Sequence, residues 1–183
     1  MRVIAGELKG RTFLAPRGRR VRPTSDRVRE AIFSALGAID PRTRVLDLYC
    51  GTGALAIEAL SRGAAHAVLI DRDTRPALGN IERLGLAQRT ELIRVLAERW
   101  VSDAARDPSP PRFDLVFLDA PYRLADRVGA DLDTHLPRLL AAGGRVVVES
   151  GAGAPLRLDS LERLRQRRYG AADVSFYGET VRR

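Results

Sequence analysis

The chain has 183 residues, 45% of them hydrophobic, and a formal charge of +8, so it is long enough and apolar enough to bury a core and is not a disordered tail. One cysteine, Cys50, excludes an internal disulfide, and with only His66 and His135 beside it no zinc-ligand spacing exists, so no metal is expected. No apolar run approaches the ~18 residues of a membrane span and the start lacks a signal-peptide core, which makes the cytoplasm the expected location.

Residues 1–22, "MRVIAGELKGRTFLAPRGRRVR", hold seven Arg or Lys. Residues 2–6 and 11–16 have the pattern of a short β-hairpin across "ELKG", followed by an exposed basic loop, "RGRR". This stretch reads as a basic extension on a domain covering 23–183. In "RPTSDRVREAIFSALG", Thr24, Ser25 or Asp26 can cap a helix. Val28, Ala31, Ile32, Ala35 and Leu36 form its apolar face, Arg27, Arg29 and Glu30 its opposite face, and Gly37 its end.

From residue 44 the pattern alternates. Strands are expected at 44–49, 66–71, 91–96, 113–119 and 143–150. Helices are expected at 53–63, at 74–85 with Pro76 in the first turn, at 97–106, and at 125–141. A short helix at 159–166 and a final hairpin within "RRYGAADVSFY" close the chain. Such alternation predicts an α/β fold: a mostly parallel sheet with helices on both faces, whose ligand lies at the carboxyl ends of the strands.

"VLDLYCGTG" at 45–53 ends such a strand. Gly51, Gly53 and Ala56 fit G-x-G-x-x-G/A, and Asp71 follows Gly51 by 20 residues at the end of the next strand, where an acid can hold a ribose. A nicotinamide dinucleotide is one ligand of that description. Asp47 argues against it, because a carboxylate beside the glycine turn repels a pyrophosphate. S-adenosylmethionine has an ammonium, a sulfonium and a ribose but no phosphate, and it suits both acids. Asp47 could serve its amino-acid end directly or through water; alternatively Asp47 only caps the helix.

"FLDAPY" at 117–122 resembles the D/N-P-P-Y/F motif of methyltransferases acting on exocyclic amines of bases. An aromatic amine is a poor nucleophile because its lone pair is delocalised into the ring. The Asp119 carboxylate and Ala120 carbonyl can accept its hydrogens and help the nitrogen rehybridise. Pro121 stiffens the turn, and Tyr122 can stack on a flipped-out base. Ala120 stands where proline is usual, which removes rigidity but leaves the carbonyl.

Three blocks, "RVIAGELKGRTF", "RPTSDRVREAIFSAL" and "VLDLYCGTGALAIEALSRGA", together with "DAPY" and "RRYGAADVSFY", resemble the 16S ribosomal RNA guanine-N2 methyltransferase family of RsmD type. The resemblance implies a Rossmann-like class I methyltransferase fold with a seven-stranded sheet and a small N-terminal hairpin. It implies S-adenosylmethionine as cofactor and 16S rRNA of the small subunit as partner, and we expect a monomer. Cofactor contacts are then expected from Asp47, Tyr49, Gly51, Gly53, Asp71, Arg72 and Ala97. Relatives often carry Asp or Asn before that alanine; here it is Leu96, so that adenine contact is missing.

The pI of about 10.8 fits an RNA partner, and an arginine-rich solvated surface equally. Arg2, Lys9, Arg11, Arg17, Arg19, Arg20 and Arg22 can neutralise phosphates, with Thr24 beside them and Arg27 and Arg29 continuing the patch. An amino-methyltransferase acting on adenine or on another nucleic acid, and a non-catalytic RNA-binding assembly factor, are the alternatives. "DAPY" does not separate the first from the leading reading.

Overall fold

The computed structural model describes residues 1–15, 25–120, 125–151 and 156–179. Among these, seven strands form one sheet: β1 (Arg44–Leu48), β2 (His66–Asp71), β3 (Thr90–Arg94), β4 (Phe113–Leu118), β5 (Leu140–Gly151), β6 (Glu162–Tyr169) and β7 (Ala172–Gly178). Their order is β3-β2-β1-β4-β5-β7-β6. The first five run parallel, and β7 lies antiparallel to both β5 and β6. The helices are α1 (Asp26–Leu36), α2 (Ala54–Ser61), α3 (Arg75–Leu84), α4 (Ala97–Arg106) and α5 (Ala125–His135).

The central strands are buried on both faces, as a parallel sheet covered by crossover helices requires. Period-two alternation sorts their side chains into two layers. Val45, Leu69, Leu115, Phe117 and Val147 pack with α1, α2 and α3. Leu46, Leu48, Ile70, Val116 and Leu118 pack with α4 and with Leu132 of α5. Ser25 caps α1, its side chain accepting from the Val28 N–H at 3.2 Å. Gly85 ends α3 in the left-handed region at φ 73°.

Every residue of α2 is buried, including Glu58 and Ser61. The sheet covers one side, and residues 1–13 cover another as a strap. Ile4 and Ala5 donate their backbone N–H groups to the two Glu58 oxygens at 2.9 and 3.0 Å. Glu7 N–H donates to the Ser61 carbonyl at 2.8 Å, and Leu8 N–H to Ser61 Oγ at 3.0 Å. Val3 and Phe13 enter the core beneath. Gly6, at φ 84°, crosses the helix so closely that a Cβ there would stand 1.7 Å from the Ser61 carbonyl oxygen.

Two expectations need correction, and a third is met in shortened form. At the N-terminus the segments pair antiparallel around the Arg2–Thr12 bridge, Val3 N–H donating to the Arg11 carbonyl at 2.9 Å and Phe13 N–H to the Met1 carbonyl at 3.0 Å. The pairing goes no further because Ile4, Ala5, Glu7 and Leu8 give their N–H groups to α2. The helix expected at 125–141 stops at His135; Pro137 lies in a 3-10 turn at Leu136–Leu139, and Leu140 already opens β5. No helix forms at 159–166; residues 162–169 are the edge strand β6. Pairing with β7 overrides the helix propensity of its Leu, Glu and Arg residues. Among the described residues no helix is long and apolar enough to cross a membrane.

Candidate active site

The turn after β1 is built from left-handed residues. Tyr49 has φ 60°, Gly51 54° and Gly53 76°. The positive φ of Gly53 favours glycine, and a Cβ there would also press on Leu69 Cδ2 at 3.0 Å. Tyr49 is the one non-glycine residue at positive φ among the described residues, a conformation that costs about 1–2 kcal/mol. Its hydroxyl donates to Glu98 Oε2 at 3.0 Å. Burial, then the adjacent Glu98 charge, pushes the Tyr49 phenol well above its usual range, so it remains a donor.

Three carboxylates surround this turn. Asp47, 2% exposed, accepts the Ala56 N–H of α2's first turn at 3.1 Å. Burial pushes its pKa up to about 7, the Ala56 bond opposes this, and the Asp71 charge adds to it. Asp71 accepts from Gly51 N–H at 2.9 Å and from Asp73 N–H at 3.0 Å. Glu98, in the first turn of α4, is the third. Of the two roles open to Asp47, cofactor contact and helix cap, the cap is present in the structure. Cys50 is buried, and burial raises its thiol far from ionisation, so it is no nucleophile at neutral pH.

Register brings the second motif to the same edge. Leu48 is paired with Ile70 of β2 and with Leu118 of β4. Tyr49 and Asp119 therefore leave adjacent strands at the same level. Asp119 is partly exposed and Ala120 is buried. Ala97 is buried at the start of α4, and Arg72 is exposed just after β2. Pro121 and Tyr122 lie outside the described residues.

The family model described as conserved hypothetical protein 95 matches residues 1–178. The chain belongs to this family, that of the RsmD-type methyltransferases. The Bacillus subtilis protein named "Putative rRNA methyltransferase YlbH" is 35% identical over 182 residues, covering 97% of this chain and 98% of the relative. Ribosomal RNA small subunit methyltransferase D of Escherichia coli K12 is 37% identical over 123 residues, covering 67% of this chain but only 61% of that protein. The solved structure of a hypothetical protein from Thermus thermophilus superimposes with a TM-score of 0.78 at 28% identity, covering 96% of this chain and 98% of the other.

The basic residues read as RNA contacts in this RsmD-type chain divide sharply. Arg2, Lys9 and Arg27 are exposed. Arg11 spends its guanidinium on the carbonyls of Arg83 and Leu84 at the end of α3, at 3.1 and 3.3 Å. Arg29 corrects the expectation outright: it is fully buried and cannot meet a phosphate. It pairs with Glu58 at 3.5 Å and Asp26 at 3.1 Å, donates to the Arg2 carbonyl, and lies 5.6 Å from the Phe13 ring centroid. Arg17, Arg19, Arg20, Arg22 and Thr24 lie outside the described residues.

Two further residues shape the site without having stood out in the sequence. Glu98 was visible only as an acid following Leu96-Ala97. Asn80, fully buried in α3, accepts from Leu14 N–H at 2.7 Å and donates to the Thr52 carbonyl at 3.0 Å, tying the strap to the glycine turn. A polar residue on an otherwise apolar helix face was its sequence signal.

Proposed function

We propose that the protein transfers a methyl group from S-adenosylmethionine to the exocyclic N2 amine of a guanine in 16S rRNA. The observation that carries this reading is a glycine turn ringed by three carboxylates at the strand level where Asp119 and Ala120 leave β4. The methyl donor is S-adenosylmethionine; three acids beside the turn suit its ammonium and sulfonium and oppose a pyrophosphate. Methyl transfer to ribosomal RNA follows from membership of the RsmD-type family; the guanine N2 atom and the 16S molecule are our reading.

When bound, the donor supplies a methyl already activated by its sulfonium, so the chain has mainly to position the acceptor. Asp119 carboxylate and Ala120 carbonyl accept the two amine hydrogens and turn the nitrogen lone pair toward the methyl. The replacement of proline by Ala120 leaves that carbonyl in place. Asp71 receives the ribose hydroxyls while its bonds to the Gly51 and Asp73 N–H groups fix its orientation. Tyr122 stacks on the base. No covalent intermediate with the protein is needed.

The test uses purified protein with methyl-labelled S-adenosylmethionine. Small subunits lacking the modification, free 16S rRNA and duplex DNA are compared, with Asp119→Ala as control. The expected result is label in N2-methylguanine of 16S rRNA, reduced by roughly 10²-fold or more in Asp119→Ala while cofactor affinity holds. Label on adenine overturns the substrate. Cofactor binding without transfer to any of these overturns the catalytic reading.

A further inference from the structure

The edge strand that stands where a helix was expected carries a basic surface outside the N-terminal block. β6 is the outermost strand, and seven consecutive residues, Glu162–Arg168, are exposed. Four of its eight residues are arginines: Arg163, Arg165, Arg167 and Arg168. Arg165 and Arg167 are in register with Phe176 and Val174 of β7, whose side chains enter the layer beneath α1. Directly opposed side chains share a face, so these two arginines stand on the α1 side, about 7 Å apart along the strand. A bulge at Leu164 puts Arg163, the register partner of Tyr177, on the other face.

The strand also points at the site's edge. Tyr169 is in register with Ala172, and Ala172 with Gly151 at the carboxyl end of β5. β5 is the strand beside β4, with Val148 paired to Leu118. The arginine row thus rises toward the level at which Asp119 leaves the sheet. Exposed Arg27, in the first turn of α1, lies on the same face.

We infer that the β6 edge is a second RNA-contact surface, in which Arg165 and Arg167 neutralise backbone phosphates of the substrate flanking the target nucleotide. This rests on the RNA-methyltransferase reading above. Guanidinium groups two residues apart along a strand have a separation comparable with that of successive phosphates, and they add affinity without reading sequence. Charge on an edge strand also blocks edge-to-edge pairing, and that role alone predicts no RNA effect.

The experiment measures RNA affinity against salt for the full chain, with 16S rRNA and small subunits as ligands. It compares Arg165→Gln/Arg167→Gln with Arg165→Lys/Arg167→Lys. Arg99→Gln/Arg106→Gln on α4 is a control of equal charge loss. The glutamine pair is expected to reduce the slope of log affinity against log salt by roughly 1.4–1.8, two phosphate contacts. The lysine pair keeps the slope, the α4 pair leaves it unchanged, and cofactor affinity is the same in all. Equal slopes in the two glutamine pairs overturn the inference. Because affinity is read directly, that result is distinct from a failure of wild-type protein to methylate rRNA, which strikes the reading beneath it.

Discussion

Arg29 and Arg167 both come from arginine-bearing stretches, yet one is sealed in the core and the other stands on the sheet's rim. The difference lies in what each guanidinium meets. Around α2 the arginines meet carboxylates and carbonyls: Arg29 and Arg62 flank Glu58, and Arg89 donates to the Leu60 and Ala64 carbonyls at 2.9 and 2.6 Å. On β6 they face water. A planar group with five donors serves either as an internal clasp or as a phosphate ligand. A charge of +8 therefore overstates the free basic surface, and residues 1–13 serve in large part to clasp α2.

The most disruptive test of this contrast is Gly6→Ala. Its Cβ would meet the Ser61 carbonyl oxygen at 1.7 Å, so the strap must lift. Lifting it exposes Val3 and Phe13, worth about 1.5–3 kcal/mol each. We expect a loss of about 3–6 kcal/mol in urea unfolding. Gly10→Ala is the matched control: φ is 85° and the space is open, so only the left-handed penalty of about 1–2 kcal/mol applies. Equal losses would show that the strap does not depend on its close crossing of α2.

Next in size is Glu58→Gln, which leaves the Arg29 charge buried beside a neutral amide. Breaking one partner of a buried pair costs about 3–5 kcal/mol. The double change Arg29→Met/Glu58→Gln should cost less than Glu58→Gln alone, because it removes the stranded charge while the amide oxygen still accepts from a strap N–H. The exposed pair Arg75–Asp73 sets the contrast: Asp73→Asn should barely move the unfolding midpoint, because water and salt screen the pair. Parity between the buried and exposed pairs in chemical denaturation would break the distinction between the two kinds of arginine.

How far the sequence could be read follows the same division. The alternating strands and helices, the glycine turn and the paired acids were legible because burial on both faces leaves an unmistakable apolar signature. β6 was not, because an edge strand with seven exposed residues has no alternation to read and "ERLRQRR" has helical propensity. The burial of Arg29 was not legible either, since its partner Glu58 lies far along the chain, on another helix. Glu58 and Ser61 were the available clue: two polar residues inside an otherwise apolar helix must find partners, and here those are strap N–H groups. Register, which sets Asp119 level with Tyr49, is a property of the assembled sheet.

The smallest expected effect concerns Asp47, the acid that links the turn to α2. Its folded pKa is about 7 against an ordinary value of 3.8. Between those values the folded state holds a proton that the unfolded state has released, so stability falls as pH rises through that window. Above pH ~7 the carboxylate is buried in charged form and the loss is complete. Asp47→Asn keeps an oxygen for the Ala56 N–H and has no proton to lose. It should flatten the decline between pH 5 and 8 by about 1–3 kcal/mol, seen as thermal midpoints that converge at low pH and separate at high pH, the variant being the more stable. On the proposed reading, a cationic donor beside Asp47 favours its ionised form, so cofactor affinity rises through the same pH window in wild type and not in the variant. A wild-type stability curve flat from pH 5 to 8 would mean that Asp47 is ionised throughout, and that burial does not control its charge.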